Sequence, residues 1–358
     1  MRRRAFTTGL AALAAMLLAR RPPAFARGRA EWSTLPDAAP LSSQFAPKGN
    51  WWGSVGPRAI IGAWNGWAWD EAGETAWLFG CGGHTDYGGN EVYRWRPGEG
   101  FRRLTDPDPL DGAVREGKGV PVDADGNPVA RARSVHTYGG QVYVDGVVHR
   151  FGGSPAWPGG FLNSHWKLNV ETLEHTDAGP VARASGKVPG AVWDPVAKRL
   201  IVHVHPDKGT IVDPATGPQQ SFDVAAWSAS MMYALDAEGR RLVHLALASK
   251  RWRLVVYDLD DQGVPVGHRV VPLDGFKNPK AGRTIAFDPA GQRFILWVDG
   301  VFAFDGSAVT AIEVARTVPS VEGRTGNGVY NRFSWAPSLG GFVTVIDPDE
   351  GGVLLRLS

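Results

Sequence analysis

The chain has 358 residues, of which 43% are hydrophobic and 10% aromatic, and its formal net charge is +2. This length and hydrophobic content are sufficient for a large buried core. The single cysteine, Cys81, excludes an intramolecular disulfide. The basic residues form no run or stripe after the N-terminus, so nucleic acid is not an expected partner.

The N-terminal segment has the features of an export signal. Arg3 and Arg4 form a twin-arginine pair, a short apolar stretch follows, and Ala24-Phe25-Ala26 fits a small-x-small cleavage site. We therefore expect residues 1–26 to be a twin-arginine signal peptide that directs the chain to the periplasm or outside the cell; a retained N-terminal anchor is the alternative. The segment holds five arginines and no acidic residue, so its removal changes the net charge from +2 to −3. The remaining chain has no second long apolar run, and we expect a monomer that is not attached to a membrane.

A repeated hairpin pattern occupies the rest of the chain. Each copy has an apolar run, a turn, and a second run in which hydrophobic residues alternate with a period of two. The turn contains Asp-Pro or Asp-x-x-Gly in four of the five clear copies. The clear copies are residues 66–83, 190–206, 232–247, 284–300 and 332–348, and residues 134–153 keep the pattern with a shifted turn. A third apolar run and often a weaker fourth follow each copy. Each unit is therefore expected to form four antiparallel strands.

Units of four short strands are typical of β-propeller blades, so we predict an all-β propeller with six blades. Seven blades are possible if residues 106–132 contain a degenerate unit, but their Asp, Gly and Pro content favours a long loop. The last unit lacks a fourth strand, and residues 30–37 have the pattern of one. Pairing between these two segments would close residues 27–358 into a single ring-shaped domain and remove two sheet edges.

Two units resemble the kelch motif. Residues 80–104 and 131–175 both carry Gly-Gly after the second strand and an aromatic residue in the third. The chain is thus similar to kelch or galactose-oxidase-type propellers, clearly over residues 62–180 and weakly afterwards. This resemblance implies a fold much more than a function.

The galactose-oxidase resemblance raises the possibility of copper-radical chemistry. That enzyme uses a cysteine cross-linked to a tyrosine and a Tyr-His pair as copper ligands. Here Cys81 ends a second strand, and Val135-His136 is the nearest equivalent of the Tyr-His pair. Oxidase-like chemistry is therefore a minor alternative, and Cys81 is expected to be a small buried residue. The pair His203 and His205 has no third ligand at a suitable spacing, so no metal site is predicted, and the sequence identifies no cofactor.

The candidate site lies on one rim of the predicted ring. The start of each first strand, the end of each second strand and the loop between strands two and three all meet on that rim. Imidazole titrates near neutral pH, and guanidinium groups bind carboxylates. The candidate catalytic residues are His84, Tyr87, His136 and Arg283. The candidate substrate-binding residues are Asn65, Asp86, Asn90, Trp157, His205, Tyr330 and Arg332. For each of them a purely structural role is the alternative.

Three functional hypotheses follow. At the level of fold and residue types the chain resembles propeller polysaccharide lyases, which include ulvan lyases. That resemblance implies β-elimination on an acidic glycan, in which His and Tyr transfer protons and Arg neutralises a carboxylate. The second hypothesis is a non-catalytic propeller that binds a glycan or a protein with the same face, and the third is a structural role alone.

Overall fold

The computed structural model describes residues 28–109, 131–156, 161–181, 188–204, 207–225, 232–248, 251–274, 276, 282–298, 300–319 and 327–358. The predicted signal peptide and most of the predicted loop 106–132 lie outside these ranges. The described residues are predominantly β-strand, as predicted. They also include a single-turn helix, α1, and three 3-10 segments, at Ala59–Gly62, Leu41–Gln44, Gly56–Arg58 and Pro337–Leu339. None of the helices in the described ranges is long and apolar enough to cross a membrane.

The strands within the described ranges form six blades. Blade 1 contains β2 (Ala68–Asp70), β3 (Thr75–Phe79), β4 (Val92–Arg96) and β5 (Gly100–Arg103). Blade 2 contains β6 (Val135–His136), β7 (Gln141–Val144), β8 (Val147–Pro155), β9 (Leu162–Asn169) and β10 (His175–Pro180). Blade 3 contains β11 (Gly190–Asp194), β12 (Arg199–His203), β13 (Lys208–Asp213) and β14 (Gly217–Asp223).

The second half of the ring has the same organisation. Blade 4 contains β15 (Met232–Asp236), β16 (Arg241–Ala248), β17 (Arg251–Leu259) and β18 (Pro265–Pro272). Blade 5 contains β19 (Gly282–Asp288), β20 (Arg293–Val298), β21 (Val301–Phe304) and β22 (Val309–Arg316). Blade 6 contains β23 (Ser334–Ala336), β24 (Gly341–Thr344), β25 (Val353–Leu357) and the N-terminal strand β1 (Arg29–Thr34).

The first hairpin turn of five blades has a common construction. In four of them, the Oδ1 atom of the aspartate that ends the first strand accepts hydrogen bonds of 2.8–3.2 Å from backbone N–H groups of the turn. These aspartates are Asp70, Asp194, Asp236 and Asp288. The fourth residue after this position has a positive φ in all five, at Glu74, Lys198, Arg240, Gln292 and Gly340. The repeated Asp in the sequence is therefore a turn-capping residue, because its side chain satisfies the turn's backbone donors.

The first strands of successive blades contact one another around the ring, in the order β2, β7, β11, β15, β19 and β23. Hydrogen bonds complete the circle between blades 6 and 1. The indole of Trp67 donates to Ser334 Oγ at 2.9 Å, and that of Trp69 donates to the carbonyl of Trp335 at 2.9 Å. The six first strands thus surround a central channel, and the core lies between neighbouring blades.

The predicted ring closure by an N-terminal strand is confirmed. Strand β1 pairs antiparallel with β25, with Ala30 opposite Leu357 and Trp32 opposite Leu355. Trp32 is 1% exposed, and its ring centroid lies 4.7 Å from that of Trp297 in blade 5. Strand β1 also pairs in parallel with β22, which joins blades 5 and 6 into one eight-stranded sheet. The sequence did not predict this second pairing.

The first strand of blade 2 is interrupted. Strand β6 pairs with the end of β8, whereas β7 pairs with its beginning. Tyr138 lies in the interruption with φ +48°. The turn at Asp145-Gly146 has φ values of +45° and +83°, as in the two-residue hairpins that favour Asp-Gly.

Candidate functional site

The glycine-rich segment after β3 turns sharply beside the neighbouring blade. Gly83 has φ +80°, and a Cβ atom there would lie 2.1 Å from the backbone nitrogen of His136. The next residues are fixed to blade 2, because the backbone N–H groups of His84 and Thr85 donate to the carbonyls of Pro155 and Ala156 at 3.0 Å each. Glycine is therefore required at position 83 for the two segments to approach.

His84 and Thr85 hold strained backbone conformations. Their φ values are +35° and +65°, a region that non-glycine residues occupy rarely and at a cost of roughly 1–3 kcal/mol each. His84 is exposed at this turn, whereas Gly82 and Gly83 beneath it are buried. The backbone hydrogen bonds of His84 and Thr85 to blade 2 maintain this conformation, which leaves the His84 side chain exposed on the rim.

Two of the predicted catalytic residues, His84 and His136, lie together. Their ring centroids are 5.9 Å apart and nearly parallel. His136 Nε2 lies 3.0 Å from Asp86 Oδ2, and the indole of Trp64 packs on the His136 ring at 4.9 Å. Asp86 comes from blade 1 and His136 from blade 2, so the ring of blades brings together residues that are 50 positions apart.

The electrostatics of this cluster favour a neutral His136. Burial is the main cause of a His136 pKa lowered to about 4; the neighbouring His84 acts in the same direction, and Asp86 partly opposes them. Because a carboxylate oxygen only accepts, the proton of neutral His136 lies on Nε2 and is donated to Asp86. The Asp86 side chain retains 19% exposure. His84 and Asp86 are thus the solvent-facing members of the cluster, and His136 supports them from below.

Two tyrosines extend the cluster toward the channel. Tyr138 lies edge-on to His136 at 5.9 Å and to Tyr330 at 5.5 Å between ring centroids. Burial raises the pKa of both phenols, so both carry their protons at neutral pH and are hydrogen-bond donors. The positive charge of Arg283 partly opposes this effect at Tyr330. Arg283 is therefore close enough to Tyr330 to act on its phenol electrostatically.

Tyr87 does not lie with the histidines. Its side chain is fully buried in the core of blade 1, and its hydroxyl donates to Glu91 Oε1 at 2.5 Å. Tyr93 donates to the same oxygen at 2.9 Å. The structure thus gives Tyr87 a structural position, because the reversal of φ at residues 84 and 85 turns its ring inward. Tyr138 is the tyrosine that contacts His136.

Three predicted binding residues form buried links within the scaffold. Asn65 donates to the carbonyl of Ala59 at 2.8 Å and accepts from the N–H of Thr137 at 2.8 Å. Asn90 donates to Asp108 at 2.8 Å. Arg332 is fully buried and donates to the carbonyl of Asn65. Asn65 and Arg332 thus connect segments of different blades, and Asn90 links two loops of blade 1. All three side chains are buried away from solvent.

The remaining predictions have different outcomes. Tyr330 lies at the cluster, as described above. Trp157 and His205 lie outside the described residues.

Cys81 is a buried thiol, as predicted. Burial raises its pKa to about 11, and Gln141 Nε2 lies 3.3 Å from its sulfur. No group of three or more His, Cys, Asp or Glu side chains within the described ranges is arranged to hold a metal ion.

Sequence reasoning missed Tyr138 as part of this cluster. The available signal was its position two residues after His136, since alternate residues of a strand face the same side. The interrupted strand and the positive φ of Tyr138 depart from that simple geometry. The Tyr138 ring nevertheless lies against the His136 ring.

Comparisons with known proteins give no functional assignment. No protein-family model matches the sequence, and the search of curated proteins finds no match. A chain of the mitotic checkpoint complex has 13% identity and a TM-score of 0.47, with 87% of this chain and 96% of that chain covered. The periplasmic gluconolactonase of Pseudomonas aeruginosa has 16% identity and a TM-score of 0.40, with coverages of 70% and 85%. The Cps50 (Swd1) β-propeller domain of Myceliophteria thermophila has 12% identity and a TM-score of 0.46, with coverages of 87% and 98%. At these similarities the fold assignment rests on the strand topology described above.

Proposed function

We propose that the rim cluster is an acid–base site of an exported, kelch-like propeller that cleaves an acidic glycan by β-elimination. The observation that carries the proposal is the 3.0 Å contact between His136 Nε2 and Asp86 Oδ2 beneath the exposed, stacked ring of His84. Paired titratable groups in distinct environments on one exposed rim are typical of acid–base catalysis. The twin-arginine N-terminus supports a substrate outside the cytoplasm.

In the proposed reaction, His84 removes the proton on the carbon next to a uronate carboxylate. The electron pair of that C–H bond forms a carbon–carbon double bond, and the bond to the glycosidic oxygen on the neighbouring carbon breaks. Tyr138, which is protonated at neutral pH, gives its proton to the leaving oxygen. Arg283 offsets the carboxylate charge, which makes the removed proton acidic enough for the reaction.

The pair of Asp86 and His136 would then act as the support of His84. Neutral His136 donates a hydrogen bond to Asp86, which lies on the same turn as His84. The His136 ring stacks under the His84 ring. A support of this kind fixes the base within hydrogen-bonding reach of the substrate. His136 and Asp86 are therefore proposed as positioning residues, while His84 contacts the substrate.

A second candidate function is glycan binding without catalysis. The observation that favours it is the low exposure of the inner cluster members, with His136 2% and Tyr138 7% exposed. A sugar on the rim would then contact His84, Asp86 and the partly exposed indole of Trp64. Aromatic side chains supply a large apolar surface for such stacking.

The test is an absorbance assay for unsaturated product with purified protein and a panel of uronate polysaccharides. We expect His84→Ala to lower kcat by roughly 10²–10⁴-fold, the usual contribution of a positioned acid–base group. His136→Gln, which removes only the support of that base, should lower kcat by a smaller factor. His268→Ala is the matched control, since His268 is an exposed histidine on the outer strand β18. Its activity should equal that of the wild type.

Three results would separate the alternatives. Loss of activity in His84→Ala with an unchanged unfolding midpoint supports the acid–base role. Wild-type activity in His84→Ala contradicts it. Binding of a polysaccharide that produces no unsaturated product, and that weakens in Trp64→Ala, favours the second candidate.

A further inference from the structure

The central channel contains a cavity of about 730 Å³ at the end opposite the His84 cluster. Its lining includes the ends of the first strands and residues of the turns that follow them, such as Glu71, Pro195 and Pro289. Its inner end is formed by Asn331 and Gln141; the Asn331 amide donates to the carbonyls of Trp67 and Gln141 at 2.7 and 2.9 Å. A cavity of this volume is within the range of small-molecule sites.

Aromatic side chains surround this cavity at one repeated position. The residue that occupies the second-to-last place in the first strand is aromatic in five of the six blades, at Trp69, Tyr143, Trp193, Phe287 and Trp335. Blade 4 has Leu235 at that position and contributes Tyr233 from the same strand. All of these side chains are partly exposed, although the neighbouring residues in each strand are largely buried.

The charged side chains in the described lining of the cavity are all acidic. Glu71, Asp145, Asp236 and Glu238 contribute carboxylates, and no lysine, arginine or histidine is among the described residues of the lining. Asp236 is neutralised by Arg241 at 2.7 Å. In the described part of the chain no ion pair involves Glu71, Asp145 or Glu238. Three carboxylates therefore add a negative potential to the mouth of an aromatic cavity.

We propose that this end of the channel binds a small organic cation, such as a quaternary ammonium group. Aromatic faces carry a negative quadrupole that attracts a cation within about 6 Å of the ring centroid, and several aromatic residues around one ammonium group form a cage. The carboxylates Glu71, Asp145 and Glu238 add attraction at the mouth. Anionic ligands are disfavoured by the same charges. This site is separate from the rim cluster and does not depend on the proposed acid–base function.

Isothermal titration calorimetry and tryptophan fluorescence with choline and tetraethylammonium test the proposal. The neutral control ligand is 3,3-dimethylbutan-1-ol, which has nearly the shape of choline but lacks the charge. We expect both cations to bind and to change the fluorescence, and the alcohol to bind at least tenfold more weakly. Equal binding of choline and the alcohol, or no binding by either cation, would overturn the proposal.

Substitutions locate the site. Trp193→Leu should weaken choline binding roughly fivefold to thirtyfold, the loss expected for one partly exposed cation–π contact. Glu71→Gln should weaken it as well, and more so at low ionic strength. The matched controls are Trp166→Leu and Glu171→Gln, which lie on blade 2 outside the cavity lining. These controls and His84→Ala should leave choline binding unchanged. If Trp166→Leu weakens choline binding as much as Trp193→Leu does, the cavity is not the binding site.

Discussion

At the scale of single residues, the chain keeps several histidines buried or half-buried and neutral. Burial lowers the pKa of His136 and His149 to about 4 and that of His165 and His175 to about 3. His149 Nδ1 and His165 Nε2 are 2.9 Å apart, a distance at which two charged rings would repel. These histidines fill space between strands as neutral rings. His84 is different because it is exposed on a strained turn.

Buried neutral histidines make stability depend on pH. Unfolded His136 binds a proton near pH 6.5, whereas the folded imidazole does so only near pH 4. Its contribution to the free energy of unfolding is therefore complete above pH 6.5 and is lost as the pH falls toward 4. We expect this residue alone to lower the free energy of unfolding by about 2 kcal/mol between pH 7 and pH 5.

Urea unfolding of His136→Gln at pH 7 and pH 5 measures this contribution. The variant should lose less stability on acidification than the wild type, because Gln does not titrate. His268→Gln, at an exposed position on β18, should keep the wild-type difference. An identical pH dependence in His136→Gln and the wild type would show that burial does not hold His136 neutral.

At the scale of elements, the hairpins were predictable because each depends on local chemistry. Alternating hydrophobic residues define the two strands, and the capping Asp defines the turn between them. The site was less predictable, because the glycine-rich segment reverses φ at His84 and Thr85 and sends Tyr87 into the core. Alternation cannot indicate which side chain turns inward after such a reversal.

The shared turn gives a prediction for Gly340. This residue has φ +57°, and a Cβ atom there would meet nothing within 4 Å. Gly340→Ala should therefore destabilise the fold by about 1 kcal/mol through backbone conformation alone. Gly62, in helix α1, also has open space around its Cβ position but no positive φ, so Gly62→Ala should be neutral or slightly stabilising.

Thermal unfolding of the two alanine variants separates conformational strain from steric clash. Neither new methyl group meets a neighbouring atom. A difference in unfolding midpoint between the two variants therefore measures the cost of placing alanine at the positive φ of position 340. Equal midpoints for Gly340→Ala and Gly62→Ala would contradict the strained turn at position 340.

At the scale of the whole molecule, sequence reasoning identified the ring but not what the ring brings together. Six repeated hydrophobic patterns and one unpaired N-terminal pattern were enough to predict six blades and their closure. The contact of Asp86 with His136 forms between two blades, and so do the contacts of Trp67 with Ser334 and of β1 with β22. Periodicity describes each blade by itself, so such contacts between blades require the structure.

The closing strand gives the prediction for the whole ring. Trp32 on β1 is buried against Trp297 at 4.7 Å and Phe333 at 6.3 Å between ring centroids, so it joins strand pairing to the core between blades 5 and 6. Trp32→Ala should lower the free energy of unfolding by about 3–5 kcal/mol, the usual cost of truncating a buried tryptophan. Glu31→Ala, on the exposed face of the same strand, should change it by less than about 0.5 kcal/mol.

Urea unfolding measures both values, and analytical ultracentrifugation measures association. If release of β1 opens the ring, the free edges of β25 and β22 can pair with another copy of the chain, because unpaired edge strands are templates for association. Trp32→Ala should then form oligomers at urea concentrations below its unfolding midpoint, whereas Glu31→Ala should remain at the wild-type size. A Trp32→Ala protein with wild-type stability and size would show that the ring does not depend on this strand.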